Sequence, residues 1–229
     1  MRNRQSGFTL VELLIAVAIL SALLFTGSFA YQMLANRWGK ELGEFNTSVQ
    51  STKSLTLLDD LLRGVQPFIV IEKNPGFDKP AFFFIGHNNS LLSISRSGIF
   101  SSGYPEIFRL TVQVQDNGLH ELIYQSVSSQ GLLLLTAQQE IVFEHQITLL
   151  KDFDEITFSY SGWDGFMEYA ERAKSLKPAS WREKFSGIDN QLLPEKMRVY
   201  AKKGGKVADF NVGFDQRSLR YLTPYIDNY

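Results

Sequence analysis

The chain contains no cysteine. That excludes disulfides, thiolate metal sites and a cysteine nucleophile. It leaves the compartment open, because an exported chain can do without disulfides. Histidine is scarce: His87, His120 and His145 are the only three, and no H-x-x-x-H spacing links any two of them, so a histidine zinc site lacks its usual pattern. No G-x-S-x-G, Walker or G-x-G-x-x-G loop occurs, and no enzymatic activity is expected. An excess of one charge is missing as well. There are 23 Lys and Arg against 24 Asp and Glu, a net charge of −1, which gives no global pull toward nucleic acid or acidic membranes. What is present suffices for a core. The 229 residues are 44% hydrophobic and 13% aromatic, outside the disordered range and consistent with one or two domains.

The apolar residues are unevenly spread. Residues 8–30 read FTLVELLIAVAILSALLFTGSFA, with Glu12 as the single charge. A helix of that length spans roughly 35 Å, enough to cross a bilayer. The preceding MRNRQSG is polar and carries Arg2 and Arg4, which predicts a cytoplasmic N-terminus by the positive-inside rule. A secretory signal would need a small-x-small cleavage site after the apolar run, and Ala22 and Gly27-Ser28-Phe29-Ala30 offer only a poor one. An ionisable side chain in hydrocarbon costs a few kcal/mol and needs a partner. Glu12 therefore either meets a partner group or lies near the interface and reaches water.

The hexad Gly7-Phe8-Thr9-Leu10-Val11-Glu12, behind a basic leader and ahead of an unbroken apolar helix, resembles the processing site of type IV pilins and type II secretion pseudopilins. The resemblance implies that a prepilin peptidase cuts between Gly7 and Phe8 and methylates the new N-terminal Phe8. It also implies that Glu12 pairs with the free amine of a neighbouring subunit during assembly. Removal of seven residues from 229 would leave 222, and loss of Arg2 and Arg4 would take the net charge from −1 to −3.

No proline occurs before Pro67, so nothing breaks a helix from Phe8 to about Arg63 or Gly64. Beyond residue 30 the pattern turns amphipathic. Tyr31, Leu34, Trp38, Leu42, Phe45, Val49, Leu55, Leu58 and Leu62 recur at steps of three or four with one wider step. That predicts one apolar face packed on a globular domain. A coiled coil would give a similar stripe, but the flanking charges do not alternate regularly. The resulting organisation is a leader at 1–7, a transmembrane segment at 8–30, an amphipathic continuation at 31–64 and a β-rich domain at 65–229.

Strands are predicted at 68–72, 81–85, 91–95, 107–114, 119–126, 141–149, 156–160, 197–201 and 207–212, from period-two alternation between turn signals. Asp116-Asn117-Gly118 predicts a hairpin joining two of them. Phe166–Lys177 has helix-forming composition and stops before Pro178. The fold class is α+β, a long helix packed on antiparallel sheets. The order of features extends the resemblance: a leucine-rich helix end, the aromatic Phe82-Phe83-Phe84, the D-N-G-L hairpin, and Leu193-Pro194-Glu195-Lys196-Met197-Arg198-Val199. It is similar to the J-type minor pseudopilin and to PilW-like minor pilins, with 161–192 longer than that core needs. K-type tip subunits commonly lack the glutamate that Glu12 supplies here, and I-type and H-type subunits are usually smaller.

The resemblance implies an inner-membrane subunit with one span, a cytoplasmic N-terminus and a periplasmic domain. Its implied partners are I-type and K-type minor pseudopilins, a major pilin or pseudopilin, and the prepilin peptidase. Type II secretion and type IV pilus systems both remain open. No cofactor or metal is expected. Asp152-Phe153-Asp154-Glu155 has carboxylates suited to calcium but lacks the glycine and downstream glutamate of an EF-hand loop, so it reads first as a turn. Lys202, Lys203 and Lys206 around Gly204-Gly205 form a basic hairpin tip, a solvated turn rather than a nucleic-acid site, since no aromatic array surrounds it. His87 falls in a turn, and His120 and His145 in strands. Trp163, Tyr169 and Trp181 are candidates for a partner surface.

Overall fold

The computed structural model describes residues 9–101, 103–175, 178–215 and 217–226; the side chains of 36, 37, 39–48, 172–175 and 226 lie outside that description. The chain forms two compact units, Met1–Thr52 and Lys53–Tyr229. Helix α1 (Leu10–Arg63) runs unbroken through 54 residues, as the absence of proline predicts. From the amphipathic stripe, Leu42 and Phe45 fall outside the described side chains. Among its described residues, Tyr31, Leu34, Trp38 and Val49 are exposed, Leu55 is half-buried, and Leu58 and Leu62 are fully buried. Core contacts within the second unit use only the last turns of α1.

The second unit continues with β1 (Ile69–Asn74), β2 (Phe77–Phe82), β3 (Ile85–His87), β4 (Ser90–Ser95), β5 (Glu106–Val114), β6 (His120–Ser128), β7 (His145–Phe153) and β8 (Glu155–Gly162). Then come α2 (Phe166–Ser175), β9 (Ser180–Arg182), β10 (Phe185–Ser186), α3 (Gly187–Asn190), β11 (Lys196–Lys203), β12 (Lys206–Gly213) and α4 (Leu219–Ile226). A six-stranded sheet has the order β10-β3-β4-β5-β6-β7, and a four-stranded sheet the order β12-β11-β8-β9. β1 and β2 pair as a separate hairpin, and all these strand pairs are antiparallel. This is the α+β architecture of a long helix followed by antiparallel sheets.

Both faces of the six-stranded sheet are buried. Phe108, Leu110, Leu122 and Tyr124 join one cluster with Leu58, Leu61 and Leu62 of α1 and with Phe158, Met197 and Val199 of the four-stranded sheet. Ile107, Ile94, Val127, Val70 and Leu134 form a second cluster. The alternation of strand side chains between faces makes this possible. The same division continues in the link from β2 to β3, with Phe82 and Phe84 in the first cluster and Phe83 in the second.

The end of α1 is tied down by main-chain and serine bonds. The Gly64 N–H donates to Asp60 O at 3.0 Å, and Arg96 N–H donates to Gly64 O at 2.9 Å. The Ser95 hydroxyl donates to Leu61 O at 2.7 Å. These bonds satisfy groups that a helix terminus leaves open.

Several elements depart from the sequence prediction. β7 begins at His145, four residues later than the predicted start, because Ile141 and Phe143 pack on the second cluster instead of joining the ladder. The strand predicted at 81–85 is split, and β2 starts at Phe77 despite Pro80. Ile71 stands opposite Pro80, but its N–H and C=O bond Leu135 and Ala137 on the other side, at 2.9 and 3.0 Å. A residue without an N–H is tolerated at that place in the ladder. α4 was not expected, since Pro224 lies inside it and reads as a breaker; buried Leu222 holds it to the core. The 166–177 helix is observed as α2 to Ser175, and its last two residues lie outside the description.

Candidate functional site: the N-terminal segment

Gly7 and Phe8, the residues flanking the expected cut, lie outside the described residues. The structure begins at Thr9, and the first bonds of α1 involve it. The Glu12 carboxylate accepts from the Thr9 N–H at 2.9 Å and from the Thr9 hydroxyl at 3.0 Å. In return the Glu12 N–H donates to Thr9 Oγ1 at 3.3 Å, and Leu13 N–H donates to Thr9 O at 3.2 Å. This is a reciprocal capping box: T-x-x-E ahead of an apolar run, with the glutamate also complementing the positive end of the helix. Sequence reasoning missed it, although its signal, Thr9 three residues before Glu12, is visible in the chain.

The cap gives Glu12 a local set of donors at the start of the apolar stretch. From Leu10 to Ala35 the helix is long and apolar enough to cross a membrane, and none of it is buried within the chain. Two of its hydroxyls bond back to the helix itself. Ser21 Oγ donates to Val17 O at 2.8 Å, and Thr26 Oγ1 reaches Ala22 O and Leu23 O, both at 3.0 Å. Such bonds satisfy polar groups without water, a requirement of a lipid environment.

The remaining candidates separate. His87 closes β3 rather than sitting in the turn, and its carbonyl accepts from the Tyr160 hydroxyl at 3.0 Å. Burial pushes that tyrosine's pKa well above its ordinary value. His145 opens β7, stacked on Phe100 at 4.6 Å between ring centroids, and His120 opens β6. Among the described residues no group of three His, Asp or Glu is placed to hold a metal ion. The Asp152–Glu155 turn instead joins β7 to β8. Asp152 takes φ 60°, the Asp154 N–H donates to Lys202 O at 2.8 Å, and the Asp154 carboxylate accepts from Gly204 N–H at 2.9 Å. The basic tip is therefore tied to the acidic turn, and Lys203 Nζ donates to Lys151 O at 2.7 Å. Trp163 is buried and packs edge-on against Tyr169, which corrects its assignment to a partner surface; Trp181 is half exposed.

Sequence reasoning also passed over Glu106. It is buried with no ion pair among the described residues, and its carboxylate accepts from Phe100 N–H at 2.8 Å, from Ser101 N–H and from the Tyr124 hydroxyl. Burial, and next the bond to Glu106, raise the Tyr124 pKa.

Residues 2–27 match the family model of the prokaryotic N-terminal methylation motif. The chain thus carries the N-terminal signal of type IV pilin-like and pseudopilin substrates of prepilin peptidase. No curated protein and no solved structure matches the chain.

Proposed function

We propose that this protein is a minor pseudopilin of J-type character in a type II secretion system, cut between Gly7 and Phe8, methylated on Phe8, and assembled at or near the tip of the pseudopilus. It is a structural subunit rather than a catalyst. Its N-terminus is cytoplasmic before processing and its β-rich domain periplasmic. The observation that carries the reading is the methylation motif at residues 2–27 running directly into an exposed apolar helix. Without neighbours, that helix needs hydrocarbon; in a fibre it would pack against other helices of the same kind. Glu12 then exchanges its Thr9 donors for the amine of an adjacent subunit. The chain order after the helix supports the J-type character: the aromatic triplet, the D-N-G-L hairpin and the Leu193–Val199 strand entry. Partners in this reading are I-type and K-type minor pseudopilins and a major pseudopilin.

A second reading keeps the processing and assembly but places the subunit in a type IV pilus as a minor pilin with an adhesive or DNA-binding role. Exposed Lys202 and Lys206 favour it.

One preparation tests both levels. The protein isolated from cells with an active prepilin peptidase should have an intact mass beginning at Phe8 plus one methyl group, and should form a stoichiometric complex with I-type and K-type subunits by light scattering. A chain starting at Met1 or cut after Ala30 overturns the processing. Correct processing without that complex overturns the tip assignment and leaves the pilus reading.

A further inference from the structure

The segment 161–192, longer than the resemblance requires, builds a cleft. Two sheet edges meet there. β9 ends the four-stranded sheet and β10 ends the six-stranded one, with only Glu183 and Lys184 between them in the chain. Together with β3 and α3 they line a cleft of about 320 Å³. Close packing sets its shape. A Cβ at Gly86 would run into the Tyr160 ring, and one at Gly187 would approach Phe82 O to 2.8 Å.

The charges in the cleft are unevenly solvated. The Arg182 side chain is 19% exposed and forms an ion pair through Nη1 with Asp164, whose own side chain is 74% exposed. The other terminal nitrogen of Arg182 donates to Ser180 Oγ at 2.6 Å and to Gly162 O at 3.2 Å. The guanidinium is thus fixed by the protein, while its carboxylate partner stands mostly in water. Burial lowers the Arg182 pKa from its ordinary value. Lys184 also lines the cleft and has no ion-pair partner among the described residues. His87 lies on the β3 side, and Asp189 faces from α3.

We propose that this cleft binds the side-chain carboxylate of an extended polypeptide segment, which displaces Asp164 from Arg182 and gains Lys184 as a second cation. A carboxylate matches the flat guanidinium fork. A dianion such as phosphate is disfavoured by Asp164 and Asp189 in the same cleft, since like charges brought together select against the wrong ligand. A polypeptide is favoured over a free acid because both walls are sheet edges, whose open main-chain groups can pair with an extended chain. Asp164 is then a built-in occupant that holds the guanidinium until a partner arrives. The cleft stands on the geometry of the β-rich unit and does not depend on the N-terminal signal.

The test uses the full-length chain in detergent micelles and follows the indole N–H signals of Trp38, Trp163 and Trp181 by NMR. Trp181 adjoins Arg182 and Trp163 adjoins Asp164, and Trp38 serves as an internal control. The probes are acetyl-Ala-Glu-Ala-amide, its Gln counterpart, acetate and inorganic phosphate. The Glu peptide should shift the Trp181 signal saturably with a dissociation constant of about 1 mM or below. The Gln peptide, acetate and phosphate should each bind at least about tenfold more weakly, the loss of one charge-assisted pair. Asp164→Asn should tighten the Glu peptide about fivefold, the scale of a partly exposed ion pair. Arg182→Gln should abolish the shift. The proposal is overturned by no saturable shift, by equal binding of the Gln peptide, by acetate or phosphate binding as well as the Glu peptide, or by Asp164→Asn leaving affinity unchanged or weaker. If Arg182→Gln fails to fold, the Asp164→Asn result decides.

Discussion

Helix α1 places leucine in two different situations. Leu14 and Leu20 are 64% and 57% exposed, whereas Leu58, Leu61 and Leu62 are fully buried. Residue type and backbone conformation are the same in both places, so propensity cannot explain the difference. The last turns of α1 meet Phe82, Phe108 and Tyr124 in the first core cluster, and burial of a leucine there contributes roughly 1.5–3 kcal/mol. The described side chains from Leu10 to Ala35 are exposed, and so many exposed apolar side chains in a row exceed what a monomer in water tolerates. One stretch stabilises this fold, and the other has the length and apolarity of a membrane span.

The largest test of that contrast is truncation. Leu61→Ala should lower the unfolding free energy of the β-rich unit by about 2–5 kcal/mol in a urea titration monitored by tryptophan fluorescence, because it opens a cavity. Leu20→Ala should leave the same titration unchanged. Equal losses would erase the distinction. Next in size is a charge inside the apolar stretch. Leu20→Lys should reduce the membrane-bound fraction after alkaline extraction, at an insertion cost of about 3 kcal/mol, without moving the urea midpoint of the folded unit.

The smallest effect lies on the exposed face of the four-stranded sheet. Arg198 Nε and Nη2 reach the two Asp209 oxygens at 2.7 and 2.5 Å, and the hydrogen bonds from Arg198 hold the Asp209 pKa below its ordinary value. A carboxyl depressed in the native state stabilises above its unfolded pKa, near 4, and that stabilisation is lost as pH falls through the lower native value. Stability of the intact protein should therefore fall through that acid window, and Asp209→Asn should flatten the slope there. Urea midpoints measured across the window check this, and the exposure of the pair keeps the effect slight.

The elements legible in the sequence were those with a local cause. The long helix followed from missing prolines, the β5–β6 hairpin from Asp116-Asn117-Gly118, and most strands from alternation. The departures have non-local causes. Ile141 and Phe143 alternate like strand residues, yet they cover a sheet face, and only the position of the second cluster says so. Pro80 sits in a strand because Ile71 turns its polar groups to Leu135 and Ala137. α4 survives Pro224 because Leu222 finds the core. At the candidate site, Glu12 and the motif around it were readable in one dimension. The cap from Thr9 was readable too and was overlooked. The cleft at Arg182 was not readable, since residues 86, 164 and 182 are brought together only by sheet order.

The aromatic triplet has a consequence for how the β-rich unit comes apart. Phe83 lies between two neighbours that serve the opposite cluster, so one short stretch of backbone belongs to both cores at once. Neither core can melt while the other keeps its order, because releasing Phe82 and Phe84 drags Phe83 out of place. The two clusters are therefore coupled into a single cooperative unit. Backbone amides of residues from the two clusters should share one hydrogen-exchange opening energy rather than two.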